Sequence, residues 1–199
     1  MCLPRWNFQM QIETLAIEDV LLIKPIRRYD QRGFFSETSR SDILAAAGVT
    51  GAFVQDNHVY SAQPGVLRGL HFQTPPHAQG KLVRCTRGAI LDVAVDIRTG
   101  SPTYGQHVAA ELSAENWRQL WIPVGFAHGY VTLEPHCEVI YKVTEYWDPA
   151  CERGIIWNDP DLAISWGISP ADVIVAEKDR TNPRFCELES AFKFVPRIS

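Results

Sequence analysis

The sequence predicts an all-β protein, a jelly-roll barrel with one or a few short helices. Apolar and polar residues alternate with period two along most of the chain, and glycine- and proline-bearing turns cut that alternation into many short runs. Two of the runs carry a histidine beside a glycine, around His71 and His128, which favours a barrel closed around a central cavity.

Taken in order, the first strand is expected over residues 20–26. A helix follows at Ser41-Asp42-Ile43-Leu44-Ala45-Ala46-Ala47-Gly48, with Ser41 or Ser39 as its N-cap and Gly48 ending it. Further strands are expected over 53–60, 66–72, 82–86, 89–97, 104–112, 119–122, 129–133, 137–145 and 154–157. Within 89–97, Leu91, Val93, Val95 and Ile97 share one face, while Asp92 and Asp96 share the other. In 137–145, Cys137, Val139, Tyr141 and Val143 oppose Glu138, Lys142 and Thr144. Turns are marked by Gln63-Pro64-Gly65, Thr74-Pro75-Pro76, Thr99-Gly100-Ser101-Pro102 and Trp147-Asp148-Pro149.

At 199 residues and 46% hydrophobic composition, the chain can bury one substantial core, expected as a single domain over 10–199 with a C-terminal tail. Residues 1–9 stand apart as an N-terminal extension, because the strand-like pattern begins only after Met10. A net charge of -4 argues against nucleic acid as a partner but leaves room for a small anion held by local arginines. No apolar run is long enough for a membrane span, and no signal-peptide pattern opens the chain. Five scattered cysteines without a Cys-x-x-Cys pair read as reduced thiols, hence a cytoplasmic location.

The chemistry concentrates in Gly65-Val66-Leu67-Arg68-Gly69-Leu70-His71-Phe72-Gln73, followed by Gln79-Gly80-Lys81. Arg68 offers an anion clamp, His71 a base that titrates near neutrality, and Lys81 a cation for a developing oxyanion. A metal site is disfavoured, since Gly69 and Gln73 stand where a second histidine two residues from His71 would be needed. No nucleophile elbow, dinucleotide fingerprint or phosphate loop occurs. Acid–base chemistry without a cofactor remains. Tyr141 could be a proton donor with a pKa of about 10 or a packed core phenol, and its pattern alone does not decide.

The sequence closely resembles the dTDP-4-dehydrorhamnose 3,5-epimerase family. The matching segments include Arg32-Gly33-Phe34-Phe35-Ser36-Glu37, Phe53-Val54-Gln55-Asp56-Asn57-His58, Val66 to Gln73 and Gln79 to Cys85. They continue through Asp92 to Arg98, Leu112 to Asn116, Gln119 to Pro123, Gly125-Phe126-Ala127-His128-Gly129, Tyr141-Lys142 and Trp157-Asn158-Asp159. The resemblance implies a metal-free cupin-type jelly roll without cofactor, acting as a homodimer that exchanges N-terminal strands. It implies dTDP-4-dehydro-6-deoxy-D-glucose, a dTDP-4-keto-6-deoxy sugar, as substrate and dTDP-4-dehydro-L-rhamnose as product.

Carried onto this chain, the resemblance makes His71 the general base, Asp179 its paired carboxylate, Tyr141 the acid and Lys81 the residue beside the C4 carbonyl oxygen. Arg68, Gln55, Asn57 and His128 match substrate-contacting positions, and Glu152 and Lys178 do so within more divergent surroundings. Arg32 and Glu37 match positions donated by the partner subunit. Elementary chemistry agrees: a C4 ketone acidifies the hydrogens on C3 and C5, and inversion needs a base and a separate acid. Tyr146 or Trp147 could stack on thymine. The competing expectations are an epimerase acting at one carbon, a metal-dependent cupin and a sugar-binding jelly roll without catalysis.

Overall fold

A computed structural model describes residues 10–196. The expected N-terminal extension, residues 1–9, lies outside the described residues. In chain order the elements are β1 (Gln11–Thr14), β2 (Leu21–Lys24), β3 (Arg28–Asp30), β4 (Gly33–Phe35), α1 (Ser41–Ala46), β5 (Gln55–Ser61) and β6 (Val66–Gln73). Then come β7 (Lys81–Arg87), β8 (Ala89–Asp96), β9 (His107–Ser113), β10 (Gln119–Ile122), β11 (Phe126–Thr132), β12 (Cys137–Val143), β13 (Glu152–Gly154), β14 (Ile174–Val175) and α2 (Glu177–Arg180).

Two sheets face each other. One has the order β1-β2-β10-β7-β12-β5, the other β13-β6-β11-β8-β9 with β14 laid parallel beside β6, and β3 and β4 form a separate hairpin. The architecture is the all-β jelly roll that the alternation predicts, with two short helices. Between the sheets lies a core drawn from both, including Val83, Leu120 and Val139 on one side and Ile90, Val108 and Phe126 on the other. Burying each such side chain contributes about 1.5–3 kcal/mol.

Each sheet is also covered on its outer face. Leu44 and Val49, from α1 and the turn after it, pack with Leu21, Ile23, Leu82 and Trp121 of the first sheet. Leu162, Trp166 and Phe192, from the C-terminal third of the chain, pack on Val93, Val95 and Val131 of the second. This coverage inverts the usual meaning of the alternation in β8. Its apolar face, Val93 and Val95, lies under the C-terminal segment, while Asp92 lies on the face turned to the barrel interior, fully buried.

Two local expectations are corrected. The N-cap of α1 is Arg40, not Ser41 or Ser39, and no side chain caps it; Arg40 instead pairs with Asp42 of the first turn at 2.5 Å. Gly48 does end this helix region, at φ +91°. The strand expected over 154–157 lies earlier, at Glu152–Gly154; Ile155 still exchanges two backbone hydrogen bonds with Leu70 of β6, at 3.0 and 3.2 Å, but the Ile156 N–H turns away to the Pro183 carbonyl oxygen. No helix among the described residues is long and apolar enough to cross a membrane.

Candidate active site

The site begins with an irregularity in strand pairing. On a regular strand Arg68 and His71, three residues apart, would point to opposite faces. Between β6 and β11 the register runs from His128 opposite His71 to Tyr130 opposite Arg68, so three steps on β6 match two on β11. This bulge turns both Arg68 and His71 toward the cavity. It requires Gly69, whose φ of +135° disfavours any side chain and where an added Cβ would stand 2.5 Å from Gly129 Cα.

Two rows of side chains therefore cross the second sheet. Asp92, Tyr130 and Arg68 are cross-strand neighbours in one; Ala94, His128 and His71 form the next. The first sheet supplies the facing wall, with Lys81 on β7 and Tyr141 on β12. Between them opens a cavity of about 400 Å³ that Arg68, His71, Lys81, His128 and Tyr141 help to line. A smaller lobe of about 240 Å³ adjoins it, sharing His71, Lys81, Tyr141 and Glu152 and adding Gln55, Asn57 and Trp147.

His71 Nε2 lies 2.6 Å from Asp179 Oδ1, and Asp179 Oδ2 accepts from the Gly69 N–H at 3.4 Å. Asp179 is 2% exposed, held by the single turn α2 after β14 has brought the chain alongside β6. Burial raises the pKa of this carboxyl, but the hydrogen bonds from His71 and Gly69 and the charges of His71 and Lys178 outweigh it, so the group sits below the usual carboxylate value. With Nε2–H donating to the carboxylate, Nδ1 is the nitrogen left to take a proton.

Lys81 Nζ donates to the His71 carbonyl oxygen at 3.4 Å. Burial pushes its amine down to about 8, partly offset by the carboxylates of Asp92 and Glu152. Burial raises the Tyr141 phenol, with Glu152 adding to the rise and Arg68 opposing it, so the proton is held firmly. His128 Nε2 lies 2.6 Å from Asp92 Oδ1, with both side chains buried. Burial lowers the His128 pKa; Asp92 opposes the shift and Lys81 and His71 add to it, so the ring is neutral at neutral pH. Asp92 Oδ2 and the Tyr130 hydroxyl, both buried, have no hydrogen-bond partner among the described residues. At the rim, Lys178 Nζ donates to Glu152 Oε1 at 3.2 Å, joining α2 to β13.

Ten of the twelve candidate residues thus meet around one cavity: Arg68, His71, Lys81, His128, Tyr141, Glu152, Lys178 and Asp179 in the larger lobe, Gln55 and Asn57 in the smaller. Arg32 and Glu37 line neither lobe of their own chain. Arg32 sits at the tip of the β3–β4 hairpin, 84% exposed and paired with Asp30 at 2.6 Å. Glu37 lies 3.7 Å from Arg40. Of the two candidate stacking aromatics, Trp147 lines the smaller lobe and Tyr146 does not. Sequence reasoning missed Asp92, Tyr130 and Gln73 as site-forming groups. The available signal was two acids on one face of a strand that is otherwise apolar.

A cavity that sets a His–Asp pair on one sheet and a lysine and a protonated phenol on the other has the parts for removing a proton beside a carbonyl and returning one from across the site. The model of the dTDP-4-dehydrorhamnose 3,5-epimerase family matches residues 14–187. The chain is 49% identical to dTDP-4-dehydrorhamnose 3,5-epimerase of Sinorhizobium fredii, over 94% of this chain and 95% of the relative. It is 51% identical to the enzyme of the same name from Pseudomonas aeruginosa, over 90% and 98% of the two chains. Among solved structures, the 3,5-epimerase of Legionella pneumophila in complex with dTDP-4-keto-L-rhamnose superposes with a TM-score of 0.88 at 42% identity, covering 94% of this chain and all of that one. The chain belongs to the dTDP-4-dehydrorhamnose 3,5-epimerase family.

Proposed function

We propose that the chain converts dTDP-4-dehydro-6-deoxy-D-glucose to dTDP-4-dehydro-L-rhamnose, an isomerisation in dTDP-L-rhamnose biosynthesis, with His71 as base and Tyr141 as acid. The observation that carries this reading is the division of the two groups between facing sheets, His71 backed by Asp179 on one and Tyr141 beside Lys81 on the other. His71 Nδ1 removes the hydrogen from the carbon next to the C4 ketone. Electron density moves to the carbonyl oxygen, where the Lys81 ammonium stabilises the enolate. The Tyr141 hydroxyl returns a proton to the opposite face of the same carbon, which inverts it. The second centre follows by the same steps once the proton on His71 has passed to solvent and Tyr141 has regained one from it. Asp179 orients the His71 ring through the 2.6 Å hydrogen bond at Nε2, leaving Nδ1 toward the substrate.

Arg68, for which no hydrogen bond or ion pair is found among the described residues, is the natural partner of the diphosphate, with Lys178 at the rim. Gln55, Asn57, His128 and Glu152 complete the substrate contacts, and Trp147 is the better placed of the two aromatics to stack on thymine. None of these steps calls for a cofactor.

The enzyme works as a homodimer with exchanged N-terminal strands, so that Arg32 and Glu37 of one chain serve the cavity of the other. The exposed rings of Tyr29, Phe34 and Phe35 on the same hairpin support this, since a second copy would cover them. The catalytic unit is a single domain from residue 10 onward. A cytoplasmic location fits the free thiols of Cys85, Cys137, Cys151 and Cys186.

Replacing Tyr141 with Phe tests the division of labour. Exchange of the first carbon-bound hydrogen with solvent should fall less than tenfold, while formation of the doubly inverted product falls about 10²-fold or more. Equal losses in both measurements, by NMR of the reacting sugar, would remove the case for a separate acid.

A further inference from the structure

The smaller lobe owes its shape to one buried amide. Gln73, the last residue of β6 and 4% exposed, makes three side-chain hydrogen bonds. Its Nε2 donates to the carbonyl oxygens of His77, at 2.5 Å, and Tyr146, at 3.1 Å, and its Oε1 accepts from the Asp148 N–H at 2.7 Å. Both donors and the acceptor oxygen are thereby engaged. The bonds to residues 146 and 148 flank Trp147 on either side. Trp147 N–H in turn donates to Gln55 Oε1 at 3.2 Å, and Gln55 Nε2 donates to Asn57 Oδ1 at 2.9 Å. The wall formed by Trp147, Gln55 and Asn57 is therefore hung from Gln73 through a continuous set of hydrogen bonds.

We infer that Gln73 is a positioning residue for substrate, acting through Trp147. It holds the 145–148 segment so that the indole and the Gln55–Asn57 pair form the wall against which the bound dTDP-sugar lies. The inference rests on the epimerase reading of the cavity. It does not make Gln73 a catalytic residue, because all three of its polar contacts are to backbone atoms of the rim and none faces the cavity centre. The neighbouring residues of the segment are anchored separately: Gln79 Nε2 donates to the Glu145 carbonyl oxygen at 2.7 Å, and the Gly80 N–H to Thr144 Oγ1 at 2.8 Å. Loss of the Gln73 amide should release Trp147 without dissolving the loop. An apolar side chain of similar length would leave two carbonyl oxygens and one N–H facing a buried position without their partner, and the segment, whose Tyr146 and Trp147 are already more than half exposed, would move to hydrate them.

The test is steady-state kinetics of the full chain with dTDP-4-dehydro-6-deoxy-D-glucose, for Gln73→Met, Trp147→Ala and the double variant. Gln73→Met should raise KM about tenfold and leave kcat within about threefold. Trp147→Ala should raise KM similarly, and the double variant should be no worse than Trp147→Ala alone, because both changes remove one wall. Gln73→Glu, which keeps the size and the acceptor but removes both donors, should follow Gln73→Met and serves if the methionine variant does not fold. An unchanged KM, a fall in kcat alone, or effects that multiply in the double variant would each overturn the inference. Solvent deuterium exchange by the unaltered enzyme is read beside these assays. If it is absent, the epimerase reading itself fails; if it is present while Gln73→Met and Gln73→Glu behave as wild type, only the role of Gln73 falls.

Discussion

Lys81 draws its usefulness from where the barrel puts it. Burial lowers its amine to about 8, so the charged form that stabilises an enolate prevails below that pH and is lost above it. The kcat/KM of the free enzyme should therefore decline on an alkaline limb centred near pH 8, and Lys81→Met should abolish that limb while lowering kcat/KM by about 10²–10³-fold. A profile that stays flat to about pH 9.5 would separate Lys81 from the enolate oxygen. Lys81 was legible in the sequence, as were Arg68 and His71, because charged groups beside apolar strand residues are conspicuous. Asp179 was named only by the family resemblance, since nothing in Ala176-Glu177-Lys178-Asp179 distinguishes a buried carboxylate from a solvated one. Asp92 was read only as sharing, with Asp96, the face opposite Leu91, Val93, Val95 and Ile97. Its burial follows from a C-terminal segment packed on the other face, which no local pattern announces.

Among the elements, most strands of four residues or more were readable: His107–Ser113 and Phe126–Thr132 begin three residues from the expectation, Val66–Gln73 ends one residue beyond it, and Gln119–Ile122 falls where it was expected. Short elements were not. The β3–β4 hairpin, at three residues a side, β14, at two, and the four-residue helix α2 are too brief for any period to emerge. The decisive element is the bulge of β6, also hidden from alternation, which would assign Arg68 and His71 to opposite faces. Gly69→Ala tests it. The added methyl meets Gly129 Cα and must adopt a left-handed backbone, costing about 3 kcal/mol and roughly 9 °C in Tm. At a temperature where the variant is still folded, activity should fall by at least about 10²-fold, because Arg68 and His71 lose their common face. Near-normal activity in calorimetrically confirmed folded protein would show that the bulge is dispensable.

At the scale of the whole molecule, two sheets hold His71 and Tyr141 on facing walls of one cavity, and the exposed β3–β4 hairpin carries Arg32, which lines neither lobe of its own chain. If Arg32 serves the partner's cavity, Arg32→Ala and His71→Ala chains, each impaired alone, should complement when refolded together. Random pairing leaves one intact cavity in each mixed dimer, so about a quarter of wild-type activity should return. A mixture no more active than its components would mean that Arg32 acts within its own chain or not at all. Proton removal and return at both carbons flanking the C4 ketone is the central step of the proposed reaction, and turnover of dTDP-4-dehydro-6-deoxy-D-glucose in D2O, followed by NMR, measures it directly. Deuterium should enter at C3 and at C5 in the rhamno-configured product; label at only one of these carbons, or at neither, would contradict it.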